Sequence, residues 1–550
     1  MVRLPDMECR PTVPEVLRRA AERYGDRSFI TMPDRRMSFA EAEQASRELA
    51  RRLLATGVGK GTRVGAMFGY GPDWVVAWLA VTRIGALFMP FSTVYKPAEL
   101  RKVLQLGDVE RLLIPAELNG ADHQGFVEDA VPGLAQAGKE PLWLPELPYL
   151  RSVWVAGRPD RPWAHPITVD FRLGDAGARV PVALLEAAEA QVSPADWMLV
   201  IFTSGTTSTP KAVVHTHGNF LRHGANLARF QGFDTATVSF CGMPFFWIGG
   251  VGLALNMALY AGSTILCVER FEPDGALDLM EAEGASHVGM WSQLMQRMHQ
   301  HIEASGRDVS GIPALAPPAP GTPFTTDPEL RHNSLGMTET VGPHSAPGPE
   351  TKRVLPEEMR GSFGLLVPDV EHRIADPETN ATLGEGVEGE VCIRGYSLMA
   401  GMYKKERHET FDENGWYHTG DRAVIREGYL YFTGRLSEMI KTSGSNVSPR
   451  EVELVLEGFE EVGAAAVMGL PDPERGEIVA AAVAPRPGAT IDADALLARL
   501  DKEISSYKVP RRILVLDPGE VPYLASGKVD RLRVREVLEA AGDAALPRRR

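Results

Sequence analysis

WMLVIFTSGTTSTPKAVVH runs from Trp197 to His215, and its reading decides the fold. Trp197–Phe202 is an uninterrupted apolar run of strand length, the pattern of a strand buried on both faces. It passes directly into Thr203–Lys211 (TSGTTSTPK), a loop of hydroxyls, one glycine and one lysine, and then into β-like AVVH. Backbone N–H groups and hydroxyls at such a strand end can wrap phosphate oxygens. The usual nucleotide P-loop is excluded, because it needs Gly-Lys-Ser/Thr opening a helix. Here Pro210 precedes Lys211 and a strand follows. Taken alone, the loop also reads as an ordinary Ser/Thr turn.

Upstream, short apolar strands alternate with amphipathic helices. Thr12, Pro14 and Glu15 form a capping-box pattern ahead of a helix, and Ser38 with Glu41 repeats it. Gly57 supplies a stop for the second helix. RVGAMFG precedes a helix around Trp74 to Ile84, and ALFMPF, ERLLIP and SVWVAG read as further strands. This alternation predicts an α/β fold whose mainly parallel sheets are covered by helices.

Downstream, Thr235–Val268 carries no charged side chain and is long enough to span a bilayer. Gly262 before β-like TILCV breaks it into a buried helix, a turn and a strand, so no membrane span is expected. The proline-rich stretch from Gly311 to Pro328 reads as a surface loop. From about Leu436 the texture becomes compact α+β. It has a helix near Pro449–Glu457, the strands AAAVMGL and IVAAAVAP, and a helix from Asp492 to about Ile504. The expected division is a large domain over 1–435 and a smaller one over 436–550.

Composition narrows the function classes. A chain of 550 residues exceeds what one core organises. A net charge of −14 argues against sequence-independent binding of nucleic acid. Cys9, Cys241, Cys267 and Cys392 are too scattered for a disulfide framework or zinc site, and the N-terminus lacks a secretory apolar run. A cytoplasmic protein, monomer or homodimer, is expected.

Four more motifs follow the first in order. GMTET (Gly336–Thr340) pairs a hydroxyl with a carboxylate, as a magnesium-bridged phosphate requires. WYHTGD (Trp416–Asp421) ends in a carboxylate suited to ribose hydroxyls. GRLSEMIKTSG (Gly434–Gly444) joins a basic residue to the point where the texture changes. SGK (Ser526–Lys528) sets a lysine on a small-residue loop. Each could be a solvated turn, but together and in this order they exclude coincidence. The chain resembles the adenylate-forming superfamily of acyl-CoA synthetases, peptide-synthetase adenylation domains and firefly luciferase over nearly its whole length.

The resemblance implies a small C-terminal domain that rotates between two half-reactions. In the first, ATP and Mg²⁺ convert an acid to acyl-AMP; in the second, coenzyme A takes the acyl group. It implies that Thr203, Ser204, Gly205, Thr206, Thr207 and Lys211 form the phosphate loop. Thr338 would contact the α-phosphate, and Glu339 would hold Mg²⁺. Asp421 and Arg435 would bind ribose, and Glu438 would be the hinge. Lys528 would serve adenylation, and the loop from Ser443 through Gly444 to Asn446 would line the pantetheine channel. Charge gathering on phosphate oxygens is what Lys528, Mg²⁺ and the hydroxyl loop would stabilise. His215, His217, His223 and His344 read as structural.

Three positions depart from the family pattern. Ser208 replaces a glycine, Leu335 before Gly336 replaces an adenine-stacking aromatic, and a proline-rich stretch replaces the Gly-Gly-Ala segment. The acyl pocket is expected along CGMPFFWIGGVGLALNM, with Phe246 and Trp247 as walls and Gly249 and Gly250 either opening space or packing a helix. These features predict an apolar or aromatic acid. Transfer to a carrier-protein thiol, or activation of nitrite for diazotisation of an aryl amine, are the alternatives.

Overall fold

The computed structural model describes residues 4–5, 7–139, 141–167, 179–203, 210–290, 292–315, 330, 333–348, 354–436, 440–447, 449–517, 520–522 and 531–542. Strand Trp197–Thr203 lies inside an eight-stranded sheet, paired in parallel with Leu87–Pro90. Parallel pairing continues through Arg63–Ala66, Arg111–Pro115, Ser152–Ala156 and Ala164–Ile167. On its other side the central strand turns back antiparallel into Lys211–Thr216. Burial on both faces explains the continuous apolar runs.

Helix Pro72–Arg83 packs on this sheet, and helix Phe39–Ala55 packs on that helix. Trp74 packs edge-on against Phe88 and Phe245, with ring centroids 5.5 and 5.6 Å away. Arg83 is fully buried in this layer, and its guanidinium donates to Glu189 at 2.7 Å, Glu43 at 2.9 Å and Ser46 at 2.6 Å. A buried charge needs such complete pairing. The Ser38–Glu41 capping box forms in both directions. That at Thr12 does not: its side chain makes no cap bond, and Pro14 with the buried face of Val13–Tyr24 suffices to start the helix.

A second, five-stranded sheet joins Val238–Cys241, Thr264–Leu266, His287–Gly289 and Ser28–Thr31 in parallel, with Arg36–Ser38 antiparallel at its edge. The uncharged stretch is thus folded in pieces. Strand Val238–Cys241 leads to a π-helical segment Gly249–Leu255, helix Asn256–Ala261, a left-handed Gly262 and strand Thr264–Leu266. Among the described residues no helix is long and apolar enough to cross a membrane.

Between Leu335 and Arg435 the chain builds a seven-stranded sheet that is antiparallel throughout, an addition to the parallel sheets expected. Its strand Tyr429–Arg435 ends just before the C-terminal unit begins at Ile440–Thr442. There, strands Val462–Asp472 and Gly476–Pro485 form a long antiparallel pair, flanked by helices Pro449–Glu457 and Ala493–Glu503. The proline-rich segment from 316 to 329 lies outside the described residues.

Candidate active site

Thr203 and Lys211 sit opposite each other in the hairpin register, so the ends of the hydroxyl loop are fixed by the ladder. Ser204, Gly205, Thr206 and Thr207 themselves lie outside the described residues, as do Glu438 and Lys528. From Lys211 the site can be followed by contact. Its ammonium lies 3.8 Å from Glu339 Oε1 and is about two-fifths exposed, whereas Glu339 is nearly buried. The same Oε1 accepts a hydrogen bond from the Tyr417 hydroxyl at 2.9 Å. Tyr417 opens the strand that carries Asp421, and Asp421 pairs in register with Arg435 on the next strand. Lys211, Thr338, Glu339, Asp421 and the Arg435 backbone therefore belong to one continuous array built by two sheets.

Each member is held from behind. His215 Nε2–H donates to the Thr338 carbonyl at 2.9 Å, and its Nδ1 accepts from Asn219 at 3.0 Å. Both ring nitrogens are committed in the neutral form, and burial lowers the imidazole to about 3. His223 donates to the Pro343 carbonyl at 2.9 Å and is lowered to about 4 by burial. His217 and His344 are also fully buried. These are framework groups.

Glu339 is also fixed through its backbone, its carbonyl accepting from Met399 N–H at 2.8 Å. Val341, next but one in the chain, holds φ at 61°, a left-handed conformation costly for a β-branched residue. Asp421 is positioned by Glu390. One carboxylate oxygen of Glu390 accepts from Gly420 N–H at 2.9 Å, and the other pairs with His418 Nδ1 at 2.7 Å. Cys392 lies against this brace, and burial pushes its thiol up to about 12.

The acyl-wall residues lie beside the same turn. Phe246 is buried and Trp247 half-buried, with ring centroids 5.3 Å apart. The glycines are tight packing positions. A Cβ on Gly250 would lie 2.2 Å from the Pro244 carbonyl oxygen, and one on Gly249 would lie 2.9 Å from Met243 Sδ. A Cβ on Gly252 would come 3.3 Å from the Val341 carbonyl, so the π-helical segment rests on the Glu339 turn. Gly336 is required too, because its Cβ would meet Gly342 at 2.5 Å, and Leu335 beside it is buried.

Gly444 stands apart, in the two-residue turn between strands Ile440–Thr442 and Ser445–Val447. Ser443 and Gly444 both have positive φ, and Ser443 Oγ accepts from Arg475 at 2.9 Å. Tyr417 and Glu390 were not singled out from the sequence, whereas His215 was read there as structural and is a framework group. Tyr417 lay inside a quoted motif, but nothing in WYHTGD separates a core tyrosine from one bonded to Glu339.

Glu339 and Thr338 offer the hard oxygen donors that Mg²⁺ takes. An all-oxygen donor set of this kind fits the ion.

Residues 17–403 match the family model described as AMP-binding enzyme, and residues 451–528 match the AMP-binding enzyme C-terminal domain. The chain belongs to the AMP-binding enzyme family. This AMP-binding enzyme is 30% identical, over 538 residues, to the 3-[(3aS,4S,7aS)-7a-methyl-1,5-dioxo-octahydro-1H-inden-4-yl]propanoyl:CoA ligase of Mycobacterium tuberculosis, covering 96% of this chain and 99% of that protein. It is 28% identical over 511 residues to the feruloyl-CoA synthase of an Amycolatopsis species, covering 91% and 93%. Its fold matches o-succinylbenzoate CoA synthetase from Bacillus subtilis with a TM-score of 0.74, at 23% identity, covering 95% and 98%.

Proposed function

We propose that this AMP-binding enzyme is an acid–CoA ligase that works through an acyl-adenylate. The observation that carries the reading is the contact chain from Lys211 through Glu339 and Tyr417 to the Asp421–Arg435 pair. A cation, a carboxylate and then a second carboxylate in register with Arg435 are groups that a nucleotide's phosphates and ribose would use, which supports the reading. Family membership and the full-length likeness to CoA ligases support the same reaction.

In the first step a carboxylate oxygen of the acid attacks the α-phosphorus of ATP. The new O–P bond forms as the bond to pyrophosphate breaks. Lys211 and the Thr203–Lys211 loop bind phosphate oxygens, Thr338 donates to the α-phosphate, and Asp421 with Arg435 fixes the ribose. Lys528 meets the attacking carboxylate. Glu339 would hold a magnesium ion, which would supply positive charge at the phosphate oxygens. Tyr417 orients Glu339 for that task. In the second step the coenzyme A thiol gives up its proton as sulfur bonds to the acyl carbon, and AMP leaves.

Residues 436–550 form the unit that turns between the steps about Glu438, bringing the Ser443–Gly444 turn to the pantetheine. The acid is apolar or aromatic, a reading supported by the Phe246–Trp247 wall and by the ring-bearing acids in the relatives' names. The enzyme works in the cytoplasm as a monomer or homodimer; its four unbridged cysteines support a reducing setting. The test is pyrophosphate release across a panel of acids, each with coenzyme A, a carrier protein or an amine. Coenzyme A should be the productive acceptor, with aryl and medium-chain acids preferred. Productive transfer only to a carrier thiol or an amine would overturn the assignment of acceptor.

A further inference from the structure

The C-terminal unit meets the large domain through a buried charge cluster that the site does not use. Lys508 Nζ donates to Glu99 Oε1 at 2.9 Å and to Glu451 Oε1 at 2.8 Å. The Ser505 hydroxyl bonds to the other Glu99 oxygen. Lys508 is 5% exposed and Glu99 6%. Glu451, Ser505 and Lys508 all belong to the C-terminal unit. Glu99 is in helix Pro97–Leu106 of the large domain, where it also accepts the Lys96 N–H at 2.9 Å as the helix cap.

We propose that Lys508 and Glu99 are positioning residues of the ligase reaction: their ion pair latches the C-terminal unit in one of its two working orientations. Rotation leaves Lys508 with Glu451, which travels with it, but separates both from Glu99. The geometry suits a contact that must open. Desolvation of a buried ion pair offsets most of its Coulomb attraction. Once parted, Glu99 returns to water and recovers its hydration, while Lys508 keeps Glu451 as its partner. An apolar contact of the same size would leave a greasy face exposed and resist opening. The ion pair also demands one register, because both Glu99 oxygens are matched, one to Lys508 and one to Ser505. Burial opposes charge on Lys508, yet Glu451 and Glu99, with Tyr507, hold it well above its usual range.

The kinetic part of this proposal rests on the acid–CoA ligase reading; the structural part does not. Glu99→Gln is the gentler variant, because glutamine keeps the helix cap and leaves Lys508 paired with Glu451. Lys508→Gln is the second. Spin labels at the exposed positions Asn119→Cys and Ala498→Cys, in a Cys9→Ser background, report the distance between the two units. The unsubstituted latch should give one dominant distance, and both variants should broaden or shift it. In parallel, pyrophosphate release from acid and ATP is compared with thioester formation from pre-formed acyl-AMP and coenzyme A. One of these half-reactions should slow by about tenfold or more in both variants while the other stays within about twofold. An unchanged distance distribution, or equal slowing of both half-reactions, overturns the proposal. If no acid supports pyrophosphate release, the ligase reading falls, and the distance measurement still decides the latch.

Discussion

At the scale of single residues, Tyr417 and Lys211 orient the Glu339 carboxylate, on which its proposed role depends. The Tyr417 hydroxyl and the Lys211 ammonium converge on the same oxygen. Tyr417→Phe removes one donor and keeps the ring against Phe411, 6.3 Å away. A hydrogen bond to a charged group contributes about 1.5–3 kcal/mol. Steady-state assays should therefore show kcat/KM for ATP reduced by about tenfold or more, with a higher Mg²⁺ requirement and an unchanged melting point. Unaltered kinetics would remove Tyr417 from the machinery. Thr203, Lys211, Thr338, Glu339 and Asp421 stand out in the sequence because phosphate and ribose binding calls for hydroxyls, cations and carboxylates, and their nucleotide-binding roles remain proposals. Tyr417 does not, because tyrosine is equally at home in a core. Glu390 was missed because its partners, Gly420 and His418, become neighbours only through strand pairing.

At the scale of elements, the π-helical segment Gly249–Leu255 shows where a sequence reading stays open until packing closes it. Glycines can make space or permit close approach, and the 2.2 Å separation from the Pro244 oxygen decides for close approach at Gly250. Gly250→Ala should lower stability by about 1–3 kcal/mol through overpacking against backbone. Gly275, exposed in helix Pro273–Glu283 with open space around it, is the contrast. Gly275→Ala should raise stability by up to about 1 kcal/mol. Chemical denaturation of both variants checks the pair, and equal effects would contradict the packing argument. The antiparallel sheet escaped notice for a related reason. Its hairpin Tyr417–Arg426 to Tyr429–Arg435 turns on Glu427–Gly428, both at positive φ. That backbone is the Asn-Gly hairpin type, but Glu-Gly does not announce it. The parallel core was legible because burial on both faces leaves an unbroken apolar signature.

At the scale of the whole molecule, buried imidazoles tie stability to pH. His215 is lowered to about 3, and His223 and His372 to about 4, in each case by burial. An unfolded histidine takes its proton near pH 6.5. Between about 6.5 and about 4 the unfolded chain binds more protons than the folded one, so stability falls as the pH drops through that window. Above it the contribution is fully present. Each histidine adds a slope of up to about 1.4 kcal/mol per pH unit. Urea unfolding of His215→Gln between neutral pH and about pH 5 should show a shallower pH slope than wild type, by up to that amount. An identical slope would mean that His215 is not carried neutral into the fold. The latch between the two units was invisible in the sequence, since nothing local relates Glu99 to Lys508.

The acyl-adenylate proposed for this enzyme forms when a carboxylate oxygen of the acid attacks the α-phosphorus of ATP. An acid labelled with ¹⁸O in both carboxylate oxygens, supplied with ATP and coenzyme A and followed by mass spectrometry of the products, probes this attack. Acyl transfer to sulfur leaves the attacking oxygen on phosphorus. AMP should carry one ¹⁸O and pyrophosphate none. Label in inorganic phosphate with release of ADP, or unlabelled AMP accompanying thioester, would contradict it.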